Sequence, residues 1–188
     1  MEFSFLVWLQ GFHRPWLDAL MVAVTFLGDA GWFWILTGCV LFCIKKTRIC
    51  GLAVLLSLAA GFLVGNCLLK NIVARSRPCW LLDVNTAIVL LVETPLDYSF
   101  PSGHTLAGFE AGVSILLFHR TWGIAALVLA ALIAFSRLYL FVHFPTDVLA
   151  GAVLGTVIAF GVHQAMARGI LPGCHRLVYQ NKKGGTRT

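Results

Sequence analysis

Three short segments of this chain hold most of the side chains that could do chemistry. They are Lys70-Asn-Ile-Val-Ala-Arg-Ser-Arg77-Pro78, then Pro101-Ser102-Gly103-His104, then Ser136-Arg137 with His143 and Asp147 following. Lys70, Arg77 and Arg137 are three spaced cations, suited to the oxygens of a phosphoryl group. Ser102 is a natural helix N-cap, and Gly103 lets a ligand come close to backbone amides whose dipole favours an anion. His104 lies in that first turn. Asp147, four residues after His143, can accept a hydrogen bond from one imidazole nitrogen, fixing the tautomer and leaving the other nitrogen free to attack. Phosphoryl transfer is mostly positioning and charge stabilisation, and three fixed cations with a helix N-terminus can supply both without a metal. No cofactor and no metal are expected.

Each segment alone has a plainer explanation. Cations at the end of an apolar helix are often anchors whose heads reach the membrane interface. A Pro-Ser-Gly-His run is also an ordinary helix start, and an Asp near a His can be a cap. Arg75, off the face shared by Lys70 and Arg77, reads as an anchor or a lipid-headgroup contact. The conjunction of the three segments is what points to one phosphate-handling site.

The elements that must position these residues are apolar helices. The chain has 188 residues, 59% of them hydrophobic and 12% charged, with a mean hydropathy of +0.87. A soluble domain carries roughly twice that charged fraction. The fold class expected is all-α, a polytopic membrane bundle of about five spans preceded by interfacial helices. The boundaries are 1–30 for the N-terminal short helices, 31–170 for the membrane core and 171–188 for a basic cytoplasmic tail. The spans run from Gly31 to Ile44, Cys50 to Lys70, Gly103 to Phe118, Thr121 to Phe141 and Thr146 to Ala167. Trp16–Leu27 is too short to cross, since twelve helical residues cover about 18 Å of a ~30 Å hydrocarbon core. The run 4–12 is read as a helix lying in the interface.

The net charge of +6 does not imply nucleic acid, because the basic residues fall in turns between apolar runs. Lys45, Lys46, Arg48, Arg120, Arg168, Arg176, Lys182, Lys183 and Arg187 share one side if five spans alternate, and that side is cytoplasmic. Lys70, Arg77, Ser102, His104, Arg137, His143 and Asp147 then meet at the outer face. Gly61 with Gly65 and Gly151 with Gly155 are close-packing contacts between helices. Cys39, Cys43, Cys50, Cys67, Cys79 and Cys174 show no metal-ligand spacing and read as small apolar residues. The long connection Cys79–Phe100, with Trp80, Asp83, Glu93 and Asp97, is expected to shape the headgroup region.

The signature Lys-x6-Arg-Pro, Pro-Ser-Gly-His and Ser-Arg-x5-His-x3-Asp resembles that of the type-2 phosphatidate phosphatase superfamily, without a substitution at any signature position. The resemblance covers about Cys50 to Ala167. It implies metal-independent hydrolysis of phosphomonoesters or diphosphates through a phosphohistidine. His143 would be the nucleophile, oriented by Asp147, and His104 the general acid and later the base. Lys70, Arg77 and Arg137, with Ser102 and the Gly103 amide, would hold the phosphoryl oxygens. The expected substrate is a membrane lipid at the outer leaflet of the cell membrane: undecaprenyl diphosphate first, then phosphatidylglycerol phosphate or phosphatidic acid. A vanadate-dependent haloperoxidase shares the three motifs but is soluble and much longer. A transporter would place charges at mid-bilayer, and here they cluster at span ends. The motifs leave the oligomeric state open.

Overall fold

The structure is a computed structural model that describes residues 1–82, 88 and 90–170. Asp83, Cys174 and the basic residues Arg176, Lys182, Lys183 and Arg187 lie outside the described residues. Among the described residues the fold is entirely helical: α1 (Glu2–Gln10), α2 (Pro15–Phe26), α3 (Trp32–Cys43), α4 (Arg48–Gly61), α5 (Lys70–Val73), α6 (Gly103–Phe118), α7 (Arg120–Tyr139) and α8 (Pro145–Ala167). A π-helical stretch, Phe62–Leu69, joins α4 to α5, so that one long helix runs to the first motif. Wide turns of this kind are frequent at functional sites.

α6 is the hub, packed against α3, α4, α7 and α8. Its sequence explains why. Gly108 and Gly112 face α7, where an added Cβ would lie 3.0 Å from Ala130 and 2.8 Å from Leu127. The glycine pairs on the flanking helices also face α6: Gly61 meets Glu110, Gly65 meets Leu106, Gly151 meets the Ser102 carbonyl and Gly155 the Leu106 carbonyl. In lipid, helices associate through such close approach and through interhelical hydrogen bonds. The Ser57 and Ser114 hydroxyls, 3.1 Å apart and buried, join α4 to α6. Trp34, Val54, Ile115 and Ile133 fill the centre of the bundle. The outer faces stay apolar, with Phe62, Leu63, Leu68, Ile72, Val128, Leu132, Val153 and Val157 exposed. A soluble monomer rarely leaves apolar area of this extent uncovered, so hydrocarbon is the natural solvent of this surface.

Three helical stretches are long and apolar enough to cross a membrane: the one beginning at Arg48, α7 and α8. Two helices that the sequence separated qualify only as a bent pair, by length and composition. α2 and α3 pass the same test together and are bent by 43°. The break is at Ala30 and Gly31, whose φ angles of 50° and 68° leave the right-handed region. α3 coincides with the expected first span, and α2 packs across the end of α7, where Asp18 accepts from Tyr139 and Thr25 from Arg137. α6 has 16 residues, about 24 Å of helix. It is short for an independent span and sits sheathed by its neighbours. The protein is a multi-pass membrane protein.

α1 packs through Leu6 and Leu9 onto Tyr139–Val142 and Phe144, covering the turn between α7 and α8. Phe141 in that turn has φ 61°, a conformation L-residues avoid. The reversal it makes sets His143 at the edge of the bundle's polar end.

Candidate active site

The polar end gathers all three motifs. Lys70 and Arg77 converge, but not along one helix face as the spacing suggests. The helix stops at Val73 because Ala74 turns left-handed (φ 46°). Arg77 follows on extended chain with φ −80° and ψ 152°, as the residue before Pro78 must. Its guanidinium is nearly fully bonded. Nε donates to the main-chain carbonyl of Asp97 (2.7 Å) and Nη1 to that of Val142 (2.8 Å). Nη2 donates to the Asp97 carboxylate (2.7 Å). Lys70, almost buried at 9% exposure, donates to the other Asp97 oxygen. Burial pushes the Asp97 carboxyl up, and the contacts from Lys70 and Arg77 outweigh it, leaving a pKa of about 2. Arg137, also buried, donates through Nη1 to the Thr25 hydroxyl on α2. Its Nε has no hydrogen-bond partner among the described residues. A buried charged donor without an acceptor is costly, so this atom is suited to an incoming anion.

His143 lies beside this cradle at 1% exposure, and its protonation pattern follows from its neighbours. Nη1 of Arg77 is 3.1 Å from Nε2. Arginine can only donate, so Nε2 accepts and carries no proton. On the other side, Ser99 Oγ stands 3.3 Å from Nδ1 and donates to Oδ2 of Asp147 at 2.5 Å. Having spent its only hydrogen there, the hydroxyl accepts from Nδ1–H. The expected direct bond from His143 to Asp147 is therefore replaced by a relay through Ser99: Nδ1 and Oδ2 are 3.7 Å apart. The Phe144 amide (2.9 Å) also binds Oδ2, and Arg75 (2.5 Å) binds Oδ1.

Arg75 is thus not a lipid anchor. It bridges Asp147 to Glu2 of α1 (2.7 Å), with its guanidinium 4.2 Å over the Phe144 ring. Glu2 in turn accepts from the amide and hydroxyl of Thr146.

Burial pushes the His143 pKa below its ordinary value. Asp147 pulls the other way, and the charges of Arg77 and Arg137 reinforce the burial. The neutral imidazole is the form with a lone pair on Nε2. A histidine-labelled sample followed by NMR should keep the His143 ring neutral well below the pH of about 6.5 at which a free imidazole titrates. A midpoint near 6.5 would contradict the arrangement.

His104 projects from the first turn of α6 and accepts a carboxylate neighbour the sequence did not suggest. Its Nε2 is 2.8 Å from Oδ1 of Asp29, in the break between α2 and α3. A carboxylate there can hold the proton that a general acid must deliver. Gly28 makes room for the ring, since a Cβ at that position would lie 2.5 Å from His104 Cδ2. Ser102 sits at the N-cap of α6, fully buried, but its hydroxyl caps no amide. It accepts from Thr105 at 3.1 Å, while its own amide donates to the Asp147 carbonyl at 3.1 Å, holding α6 and α8 in register.

Lys70, Arg77, Gly103, His104, Arg137 and His143 all line one cavity of about 1620 Å³. Its far wall is mostly apolar, formed by Ile35, Leu55, Leu58, Phe62, Leu106 and Ala107, with Glu110 and Asn66 among them. Anion chemistry at one end and a mostly apolar remainder match an amphiphile with a phosphorylated head. Ser99, Asp29 and Thr25 are the members that sequence reasoning missed, while Arg75 read as an anchor or headgroup contact and Asp97 as part of the loop that shapes the headgroup region. Asp29 left a signal, as a lone carboxylate interrupting an apolar run.

Comparison with known proteins agrees. Residues 50–170 match the PAP2 superfamily. An undecaprenyl-diphosphatase of Sulfolobus acidocaldarius is 34% identical over 145 residues, 77% of this chain and 68% of that protein. Phosphatidylglycerophosphatase B of Bacillus subtilis is 32% identical over 162 residues, covering 79% and 74%. The crystal structure of a transmembrane PAP2-type phosphatidylglycerolphosphate phosphatase from Bacillus subtilis superposes with a TM-score of 0.71 at 28% identity. The match covers 92% of this chain and 87% of that one. Motifs, bundle and relatives lead to one conclusion: the chain belongs to the PAP2 superfamily, among its membrane-embedded hydrolases of lipid phosphate esters.

Proposed function

We propose that the protein removes the terminal phosphate of a lipid phosphate or diphosphate through a phosphohistidine on His143, with undecaprenyl diphosphate as first substrate and phosphatidylglycerol phosphate and phosphatidic acid next. One observation carries this reading: the unprotonated Nε2 of His143, held 3.1 Å from Arg77, stands at the cationic end of a cavity whose further lining is mostly apolar.

In the first step Nε2 forms a bond to phosphorus as the bond from phosphorus to the leaving oxygen breaks. His104 delivers its proton to that oxygen. Lys70, Arg77 and Arg137 carry the charge that spreads over the equatorial oxygens. The Nδ1–H to Ser99 to Asp147 relay stabilises the positive charge that appears on the His143 ring. In the second step His104 takes a proton from water, whose oxygen bonds to phosphorus as the P–N bond breaks. Inorganic phosphate leaves and both histidines return to their starting forms.

The diphosphate ranks first because it brings the most negative charge to three cations, and because the Sulfolobus relative bears that activity in its name. The basic turns Lys45, Lys46, Arg48 and Arg120, with Arg168, lie at the opposite ends of the helices and belong in the cytoplasm. The cavity then faces the outer leaflet of the cell membrane, where a carrier lipid exposes its diphosphate. Residues 1–30 act as part of the core in this reading, since they contribute Glu2, Thr25 and Asp29.

Phosphate release by purified protein in detergent, measured on the three lipids in EDTA, tests the proposal. Turnover without added metal, inhibition by vanadate and the highest kcat/KM on undecaprenyl diphosphate are expected. His104→Ala should slow release by about 10²–10⁴-fold. A strict Mg²⁺ requirement would sink the three-cation mechanism.

A further inference from the structure

We infer that Asp97 is a specificity-determining residue, a carboxylate that sits in the phosphate's place on Lys70 and Arg77 and yields it only to ligands of higher negative charge. The inference rests on the lipid-phosphatase reading and adds to it the means of rejecting the phosphodiester lipids of the surrounding bilayer.

The geometry separates two roles that one residue could play. Asp97 binds Arg77 twice, through its main-chain carbonyl to Nε and through its carboxylate to Nη2. The carbonyl, together with that of Val142 on Nη1, already fixes the guanidinium plane. The carboxylate is therefore not needed to position Arg77. What it does is join Lys70 to Arg77, with one oxygen on each cation. Those are the contacts two phosphoryl oxygens would make. The side chain is also the one member of this group that can leave. It is 54% exposed, whereas the side chains of Lys70 and Arg77 are 11% and 3% exposed. Rotation about its own χ angles would carry the carboxylate into solvent while the backbone contact to Arg77 stays in place.

Displacement is a competition between anions. Tethered by its own backbone, Asp97 competes at an effective concentration on the order of millimolar or more. A phosphodiester headgroup brings a single negative charge and gains nothing in Coulomb energy by replacing another. A phosphomonoester carries about −1.5 to −2 at neutral pH, and a diphosphate carries more. These exchange one charge for about two or more on the same cations, beside Arg137, whose Nε has no partner among the described residues. The phosphodiesters that crowd a bilayer are thus kept from occupying the site as inhibitors, without any shape recognition of the head.

Asp97→Asn tests this, in mixed micelles with phosphatidic acid as substrate and phosphatidylglycerol as diester competitor. The variant should bind the diester about tenfold more tightly, judged by its inhibition constant, since a charge-assisted contact is freed for it. Its KM for phosphatidic acid should fall as well, and inorganic phosphate should inhibit it more strongly. Asp97→Ser should behave alike and stands in should the asparagine variant fold poorly. Asp97→Glu, which keeps the charge, should keep wild-type rejection of the diester. A fall in kcat with the diester inhibition constant unmoved would make Asp97 a positioning residue and overturn the inference. That result leaves the phosphatase reading standing, whereas wild-type protein that releases no phosphate from any lipid phosphate removes both.

Discussion

Replacing His143 with alanine should lower phosphate release by at least about 10⁴-fold, because loss of a nucleophile removes the whole pathway that depends on it. Nε2 of His143 is the unprotonated nitrogen facing the cradle. Folding should survive. The side chain is buried, but its removal leaves Ser99 bonded to Asp147 and leaves Asp147 bonded to Arg75 and the Phe144 amide. A rapid-quench experiment with a radiolabelled terminal phosphate checks the chemistry directly. Wild type should trap an acid-labile, alkali-stable phosphoprotein, and His143→Ala none. Label retained by the alanine variant would move the nucleophile elsewhere.

Arg77→Lys should cost about 10²–10³-fold in kcat, the range seen when one preorganised donor to a developing charge is lost. The charge is conserved, so the effect measures geometry. The fork of Arg77 spans the Asp97 carbonyl, the Val142 carbonyl and Nε2 of His143 in one plane. A lysine ammonium reaches one of these points and leaves buried carbonyls without donors. Loss of stability by roughly 1–3 kcal/mol for each orphaned group should accompany the loss of rate, visible as a lower melting temperature in detergent. Because the change acts on transition-state charge, kcat should fall far more than KM rises. An unchanged kcat with a raised KM would make Arg77 a simple ground-state anchor.

The site was legible in the sequence where its parts act locally. Spacing within each motif, apolar run lengths and the sidedness of lysine and arginine were enough to bring Lys70, His104, Arg137, His143 and Asp147 to one end of a bundle. What stayed hidden depends on chain reversals and long-range partners. Nothing in Ala74 announces a left-handed residue, so Arg77 read as helical, although Pro78 already disfavours that. Ser99 is one serine in a long connection, and only the fold inserts it between His143 and Asp147. Arg75 looked like an anchor because its partners, Glu2 and Asp147, are 73 and 72 positions away. The break between α2 and α3 was legible, because Gly28-Asp29-Ala30-Gly31 interrupts an apolar run, but not that it delivers Asp29 to His104.

The π-helical stretch before Lys70 has a consequence for how such chains can diverge. Each residue of an α-helix advances about 100°. A π-helical stretch advances less per residue, so Phe62–Leu69 takes up about one residue more than an α-helix covering the same rotation. Deleting one residue there would let the stretch relax to ordinary α-helix with Lys70 still near its present face. The same deletion in a regular part of the helix would swing everything after it by about a quarter-turn or more. The stretch is therefore the one place in this span where a one-residue difference in length leaves the first motif facing its partners.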